Sequence, residues 1–338
     1  MENKRVALWD NLKFELIVLV VLGHFINIRD SVTYHSIFIF IYSFHMPLFV
    51  FLAGLFHRNK GFWKKSIAYL AIYIMYELGI YGIKKAYGVR TSLDILNETA
   101  APWFMLALAF YVLAGFALHK LMEDRIMRWV ILVAMTVLAC VIGFVESVGE
   151  FLSLAKVIYF FPFYLLGMIT DRKKLEFFAE KTKFKLAGAV VLAGWLLICF
   201  VFMKEVYQLR PFLISKASYP ENYNMPVIWR LQSYLLACIT GFCLIVLTPV
   251  REIKPFTLWG SRTIQVYFWH KFVLYVFQYT RYEGRKHIDD WFYEGGLRKL
   301  LWMGVAVAVT CILSLWIFRY PTELILAFTR TKKDAGAE

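Results

Sequence analysis

The feature that most constrains this chain is a succession of long apolar runs. A helix needs about 20 mostly apolar residues to cross the hydrocarbon core of a bilayer, and the sequence offers about ten such runs. This pattern predicts an all-α fold, a polytopic bundle of about ten transmembrane helices. The predicted spans are approximately 10–29, 36–56, 64–82, 101–120, 127–145, 151–170, 185–203, 229–249, 262–280 and 299–319.

The composition excludes the main alternatives to a membrane protein. Hydrophobic residues make up 60% of the chain and charged residues 18%, against roughly 45–50% and about 25% in soluble domains. With 31 Phe, 20 Tyr and 11 Trp the chain is also too aromatic to be disordered. The net charge of +14 is typical of nucleic-acid binding in a soluble protein. In a membrane protein it indicates cytoplasmic loops that face anionic lipid, so we expect no nucleic-acid partner.

Loop charges and loop composition suggest the organisation of the chain. Lys and Arg are more frequent in the segments that face the cytoplasm when the N-terminus is inside, so both termini are predicted to be cytoplasmic. We find no internal repeat and no separate soluble domain, and residues 1–338 are interpreted as one membrane domain. Segments 204–228 and 281–298 are placed outside, and their charges and aromatic residues suit a carbohydrate. Alternatively, they are ordinary interfacial loops with Trp and Tyr at the headgroups.

Ionisable residues inside the first span indicate a site, because such residues are costly in lipid. Lys13 and His24 are eleven residues apart, so they lie within about 20° of one helix face and roughly 16 Å apart along the axis. Asp10 lies near the same face, whereas Glu15 points to the opposite side. Histidine favours proton transfer near neutral pH. The structural alternatives are snorkelling of the charged residues and a helix–helix hydrogen bond by His24.

Two later spans also carry a histidine near mid-membrane. His45 precedes Pro47, which is expected to kink or break the second span, and Gly54 allows close approach of another helix. His270 lies in the ninth span, about 12 Å from its inner boundary. The three histidines can therefore meet near the midplane if their helices are neighbours.

Three further features are weaker signals. Glu77 in the third span is a candidate participant or a carboxyl held by tyrosine hydroxyls. A metal site is not expected, because the histidines lack additional carboxylates and an i,i+4 ligand pair. The loop after the second span contains Arg58 and Lys60, followed by Lys64 and Lys65, and such a cluster can bind phosphates. The alternative is that these cations only set the topology.

Five elements of the chain, in order, resemble the integral-membrane acyltransferase-3 family, and within it the sugar and polysaccharide O-acetyltransferases, including fucose O-acetylase-like members. The resemblance covers nearly the whole chain. The matching elements are Asp10-x-x-Lys13-x10-His24, Ser43-Phe44-His45-Met46-Pro47-Leu48-Phe49 with Gly54, Pro102-Trp103-Phe104, Phe161-Pro162-Phe163-Tyr164-Leu165-Leu166-Gly167, and Gly260-x-x-Thr263-Ile264-x-Val266-Tyr267-Phe268-x-His270.

This resemblance implies an acetyl group taken from cytoplasmic acetyl-CoA and delivered to a sugar hydroxyl, in the multi-pass plasma membrane of a bacterium. It implies His24 as the catalytic residue, and Arg58-x-Lys60 resembles the family's basic Arg-x-Arg loop, which is assigned to CoA. Lysine in place of the second arginine keeps the charge but loses the bidentate fork. The residues predicted to form the site are His24, His45 and Asp10 for catalysis, Lys13, Arg58 and Lys60 for acetyl-CoA, and Glu77, Trp103, Tyr267 and His270 for the acceptor.

The chemistry leaves two mechanisms open. His24 can accept the proton of a sugar hydroxyl as that hydroxyl attacks the thioester, or it can carry the acetyl group covalently. The acceptor can be a polysaccharide, a glycoside or a lipid-linked sugar. The main rival interpretation is a transporter or flippase of a lipid-linked sugar, since intramembrane charges also mark substrate pathways. Against it, the sequence shows no matching pair of broken helices in its two halves.

Overall fold

The structure is a computed structural model that describes residues 6–26, 31–96, 101–146, 151–215, 218–282, 286–293 and 295–329. Its helices are α1 (Ala7–Ile26), α2 (Val32–Tyr42), α3 (His45–Leu55), α4 (Phe62–Ala86), α5 (Trp103–Leu118), α6 (Arg125–Val141), α7 (Leu154–Ile169), α8 (Arg172–Glu180), α9 (Thr182–Val201), α10 (Met203–Val206), α11 (Arg210–Ile214), α12 (Pro226–Leu247), α13 (Phe256–Gly260), α14 (Thr263–Tyr279), α15 (Ile288–Tyr293), α16 (Gly296–Leu313) and α17 (Thr322–Ala327). Two short antiparallel strands, β1 (Arg281–Tyr282) and β2 (Lys286–His287), pair Arg281 with His287 and Tyr282 with Lys286.

The fold is the predicted polytopic helical bundle. Six helical segments in the described residues are long and apolar enough to cross a membrane, or seven when the bent pair α7 and α8 is included. The other predicted spans are helical too, but α1 carries three charged residues, and α5, α7 and α14 have 16, 16 and 17 residues. The number of ten spans and the cytoplasmic termini stay predictions.

The second predicted span is broken, although not at the proline. Helix α2 ends at Tyr42 and α3 begins at His45, because Phe44 leaves the helical conformation with φ −142° and ψ −24°. Pro47 then lies in the first turn of α3, where its missing N–H costs no helical hydrogen bond. The break therefore falls at Phe44, three residues before the expected position at Pro47, and sets His45 at the start of a new helix.

Close packing joins α3 to α7 through two glycines. A Cβ at Gly54 would lie 2.0 Å from the carbonyl oxygen of Tyr164, and a Cβ at Gly167 would lie 2.1 Å from that of Phe51. Glycine is required on both sides because the two backbones touch. The predicted close approach at Gly54 is confirmed, and it fixes α3 against α7.

Helix α1 occupies the centre of the bundle, where α2, α3, α13, α14 and α16 pack around it. Most of its side chains are buried, whereas α6 and α9 expose most of theirs at the periphery. The first turns of α1 are held by the segment before α14. The Asn11 amide donates to the carbonyls of Pro249 and Arg251 at 2.8 and 2.9 Å, and Gly260 packs against the carbonyl of Asp10. These contacts fix the direction in which Lys13 and His24 point.

Candidate active site

Three helices bring the predicted histidines together. The rings of His24 on α1 and His270 on α14 lie with their centroids 5.1 Å apart, tilted by 34°. His45, at the start of α3, packs against the ring of Tyr42 at 4.6 Å between centroids, and the same ring contacts α1 at Gly23, next to His24. The sequence could place these residues at similar depths, but only the packing of α1 against α3 and α14 makes them one cluster.

Two of the three histidines have a defined tautomer. His45 donates its Nδ1–H to the carbonyl of Ile41 at 2.9 Å, and His270 donates its Nδ1–H to the carbonyl of Tyr267 at 2.7 Å. A carbonyl oxygen only accepts, so each neutral ring keeps its lone pair on Nε2. The Nε2 atom of His270 is buried and has no hydrogen-bond partner among the described residues. Both rings are therefore held by the backbone through Nδ1, and Nε2 is the nitrogen of each ring that can still accept a hydrogen bond.

His24 differs from the other two because neither of its ring nitrogens is engaged. Within the described ranges it makes no hydrogen bond, and its side chain is only partly buried. An imidazole with both nitrogens unbonded can accept a proton at one atom while the other contacts a ligand. His24 is thus the ring of the cluster that is best placed to meet a substrate.

Two lysines next to the cluster escaped the sequence prediction. Lys156 on α7 is buried and lies over the ring of Trp103, with its Nζ 5.4 Å from the ring centroid. Lys271 follows His270, and both lysines act electrostatically on His24. The cost of a charge in lipid, which drew attention to Lys13, would have identified them too. They surround His24 with positive charge, which suits a developing negative charge.

The predicted acceptor residues form a layer around the histidines. Trp103 stacks on Phe160 with ring centroids 5.0 Å apart and carries Lys156 on its face. The Tyr267 hydroxyl donates to the carbonyl of Ala101, and its ring lies 5.8 Å from that of His270.

Glu77 lies one layer further from the cluster. It is buried on α4 and acts electrostatically on Tyr76 and Tyr275. Tyr76 in turn packs against the ring of Tyr267, with centroids 5.7 Å apart. Glu77 is therefore related to the histidine cluster through these rings.

The start of α1 forms one end of the candidate site, which we call the cationic end and which contains Lys13. The Nζ atom of Lys13 is 2.7 Å from Oδ1 of Asp10, whose side chain is buried, while Lys13 is partly exposed. Fourteen residues separate Asp10 from His24, which corresponds to about 21 Å along the helix. The structure therefore places Asp10 with Lys13 and not with the histidines. Glu15 points elsewhere and accepts a hydrogen bond from Thr248 at 2.7 Å.

The basic loop lies beside this end of α1. Phe56, two residues before Arg58, packs edge-on against Trp9 of α1 with ring centroids 5.8 Å apart. Arg58 and Lys60 are exposed, and neither forms a hydrogen bond or ion pair with any residue that the structure describes. Their cationic groups are available to a ligand.

His57 anchors the loop in an uncharged form. Its Nε2–H donates to Oδ1 of Asn59 at 2.9 Å, so its Nδ1 accepts from the hydroxyl of Tyr164 at 2.6 Å. Burial lowers the pKa of His57 below its ordinary value. The loop is thereby attached to α7 by a neutral histidine, and Arg58 and Lys60 supply its charge.

Comparison with known proteins identifies the family of the chain. The profile of the acyltransferase-3 family, described as an acyltransferase domain, matches residues 6–319. The chain belongs to the acyltransferase-3 family. A search of curated proteins and a search of solved structures return no match. The protein is accordingly a multi-pass membrane acyltransferase, and the individual roles of its site residues stay predictions.

Two cavities bear on how this acyltransferase-3 member handles its substrates. The larger, about 190 Å³, is apolar, lies between α3, α7, α8 and α12, and is lined by none of the predicted site residues. The smaller, about 20 Å³, lies between α1, α3, α5 and α14. Its lining residues are Ile17, Val20, Met46, Phe49, Phe104, Met105, Thr263, Ile264 and Tyr267.

The smaller cavity lies between the two ends of the candidate site. Ile17 and Val20 fall on the same face of α1 as Lys13 and His24, since these positions recur at helical spacing. The cavity therefore lies beside the middle turns of α1, between the turn that carries Lys13 and the turn that carries His24, and neither of these two residues lines it. Among the residues that the structure describes, no group of three or more His, Cys, Asp or Glu is arranged to hold a metal ion.

Proposed function

We propose that this acyltransferase moves an acetyl group from cytoplasmic acetyl-CoA to a hydroxyl of a cell-envelope or exported polysaccharide or glycoside. The observation that supports the proposal is the shared face of α1, which carries Lys13 at the cationic end and His24 about 16 Å further along, with a small cavity beside the turns between them. We place the protein in the bacterial plasma membrane, since acetyl-CoA is cytoplasmic and the acceptor is exported.

The cationic end suits the phosphates of CoA. Arg58 and Lys60 supply charge-assisted hydrogen bonds from the loop, and Lys13 adds a third cation that Asp10 orients at 2.7 Å. The pantetheine arm is long and thin, and a span of about 16 Å leads from Lys13 to His24. A cavity of about 20 Å³ holds little more than a water molecule, so Phe49 and Phe104 must rotate to admit the arm.

The histidine cluster then performs the transfer. His24 accepts the proton of the acceptor hydroxyl, and that oxygen attacks the thioester carbon to form a tetrahedral oxyanion. Lys156 and Lys271 stabilise its negative charge. As the C–S bond breaks, the His24 imidazolium protonates the CoA thiolate, leaving an O-acetyl ester and free CoA. His45 and His270 provide Nε2 atoms that can accept hydrogen bonds in the site. Trp103 and Tyr267 form the wall of the pocket that contacts the sugar. Glu77 lies behind this wall, next to Tyr76, which packs against Tyr267.

In the covalent alternative, His24 attacks the thioester itself. The C–S bond breaks, CoA leaves as the thiolate, and the acetyl group stays on the imidazole until the acceptor hydroxyl displaces it. Both routes consume one acetyl-CoA and one hydroxyl. They differ in whether labelled acetyl stays on the protein when no acceptor is present.

The test is transfer of radiolabelled acetyl from acetyl-CoA to saccharide acceptors in sealed, oriented membrane vesicles. We expect wild-type protein to label the acceptor and Val20→Phe to lose about 100-fold in kcat/KM for acetyl-CoA, because the added ring fills the path and displaces the thioester. Val20→Ala widens the same path and should keep transfer.

Val18→Phe is the matched control, since it adds the same ring to α1 on a different face. It should transfer like wild type. If Val20→Phe is folded, as judged by size-exclusion chromatography, and keeps the full kcat/KM for acetyl-CoA, the proposed path of the pantetheine arm along α1 is wrong. If wild-type protein gives no CoA-dependent label with any acceptor, the proposal fails, and translocation of a lipid-linked sugar becomes the next assay.

The basic loop makes a separate prediction. Replacing Arg58 and Lys60 together by alanine should raise the KM for acetyl-CoA by about 2- to 30-fold and leave kcat nearly unchanged, because exposed ion pairs contribute about 0.2–1 kcal/mol each. The same charge change at Lys173 and Lys174, exposed on α8, is the control. An unchanged KM in the loop variant would show that the loop sets the topology only.

A further inference from the structure

A cluster of aromatic side chains around one arginine, Arg210, lies beyond the histidines, on the side remote from Lys13. We call it the outer arginine corner, and it consists of His35, Phe38, Tyr42, Tyr207 and Arg210. Tyr207 precedes α11 and stacks on His35 of α2, with ring centroids 4.3 Å apart. Arg210, the first residue of α11, lies 5.6 Å from the ring of Phe38 and 5.8 Å from that of Tyr207.

Arg210 has two aromatic neighbours and forms no ion pair with a described residue. In the described part of the chain it forms no hydrogen bond and no ion pair, and its Nε is buried without a partner. Guanidinium groups rest well on aromatic faces, yet their N–H donors still require acceptors. Two aromatic rings hold the guanidinium of Arg210 in place while its N–H donors are unused. The group is therefore positioned to bind an anion.

Arg230 shows what a purely structural arginine does in the same region. It is buried on α12, and its Nη1 donates to the carbonyl of Phe212 at 2.9 Å and to the hydroxyl of Ser215. Its guanidinium also lies 4.3 Å from the ring of Tyr159. Arg230 thus fastens the segment after α11 to α12, whereas Arg210 fastens nothing by hydrogen bonds.

The corner is continuous with the histidine cluster. Phe38 stacks on Tyr42 with centroids 3.8 Å apart, and Tyr42 packs edge-on against His45 at 4.6 Å. Tyr42 also touches α1 next to His24, since a Cβ at Gly23 would lie 3.0 Å from its ring. Its hydroxyl has no hydrogen-bond partner among the described residues. The rings of Phe38 and Tyr42 therefore form a continuous surface from Arg210 to His24, and the Arg210 guanidinium and the Tyr42 hydroxyl are free to donate hydrogen bonds along it.

We propose that the acceptor of this acyltransferase is an anionic saccharide, whose carboxylate or phosphate binds Arg210 while the hydroxyl to be acetylated lies at His24. This inference rests on the proposed function for its acceptor. The rings of Phe38, Tyr42 and Tyr207 contact the apolar faces of the sugar, and the fork of Arg210 binds the anion through two N–H···O bonds.

The experiment measures binding without acetyl-CoA. Full-length protein in non-ionic detergent is titrated calorimetrically with three oligosaccharides of equal length, one neutral, one containing glucuronate and one bridged by a phosphodiester. We expect wild-type protein to bind at least one charged oligosaccharide about 10- to 100-fold more tightly than the neutral one, as charge-assisted hydrogen bonds predict. The charged ligand that binds more tightly identifies the source of the anion.

Variants assign the preference to the corner. Arg210→Gln should remove it, and Arg210→Lys should restore only part of it because the fork is lost. Lys204→Gln removes one charge from the exposed α10 of the same segment and should keep the preference. Equal binding of the charged and neutral ligands, no binding of any of them, or a preference that survives Arg210→Gln overturns the inference. Because binding needs no CoA, this result is independent of whether acetyl transfer is observed.

Discussion

His24→Ala should reduce acetyl transfer by about 10²- to 10⁴-fold in kcat, the range that a general acid–base group contributes. The reason is that neither nitrogen of His24 bonds another described residue, so its chemistry is directed at the substrate. His45 and His270 already use their Nδ1–H on backbone carbonyls and cannot replace it without moving. The measurement is initial rate in vesicles that contain equal amounts of folded protein.

His119→Ala is the matched control, because this histidine lies at the end of α5 with its side chain 48% exposed, next to Glu123. It should transfer at the wild-type rate. Near-normal activity of His24→Ala would remove His24 from the mechanism. A second measurement incubates wild-type protein with labelled acetyl-CoA in the absence of acceptor and then denatures it. Label that stays on the protein would show the covalent route, and absence of label would show direct transfer.

Gly54→Ala should cost about 3 kcal/mol or more of folding stability, at or above the upper end of ordinary overpacking. The added Cβ would lie 2.0 Å from the carbonyl oxygen of Tyr164 and 2.8 Å from its carbon, and neither is a side-chain atom that can rotate away. Helix α3 must therefore separate from α7. The midpoint of thermal unfolding in detergent should fall, and transfer should fall with it, because α3 carries His45 and α7 carries Lys156.

Gly194→Ala provides the comparison within the same protein. Gly194 lies in α9 with open space where its Cβ would be, so alanine meets nothing and improves helix propensity by up to about 1 kcal/mol. The midpoint should stay constant or rise. An unfolding midpoint for Gly54→Ala equal to that of wild type would mean that α3 and α7 are not in backbone contact.

The transmembrane bundle was predictable because its signal is local. Each apolar run is long enough to cross a bilayer, and all ten predicted runs are helical in the structure. The alignment of Lys13 with His24 was equally predictable, since both lie on one helix of fixed geometry. The break in the second span was predicted too, but it occurs at Phe44 because a proline fits the first turn of α3.

Other features of the site could not be read from the sequence in this way. Asp10 shares a face with His24, but the salt bridge to Lys13 assigns it to the cationic end. Lys156 is a charge inside a predicted span and could have been noticed, but its position beside Trp103 and His24, which belong to other helices, comes from the packing. Arg210 lies in a loop segment, and its unpaired guanidinium is visible only once α11 packs against α2.

The sequence by itself determined the helical membrane fold and the face of α1 that Lys13 and His24 share. These follow from segment length and from the fixed rise and turn of a helix. Only the tertiary structure decided that His24, His45 and His270 form one cluster, that a small cavity lies beside the middle of α1, and that aromatic rings link Arg210 to the cluster. The physical reason is that helix neighbours are chosen by packing between residues distant in sequence, such as Gly54 against Tyr164.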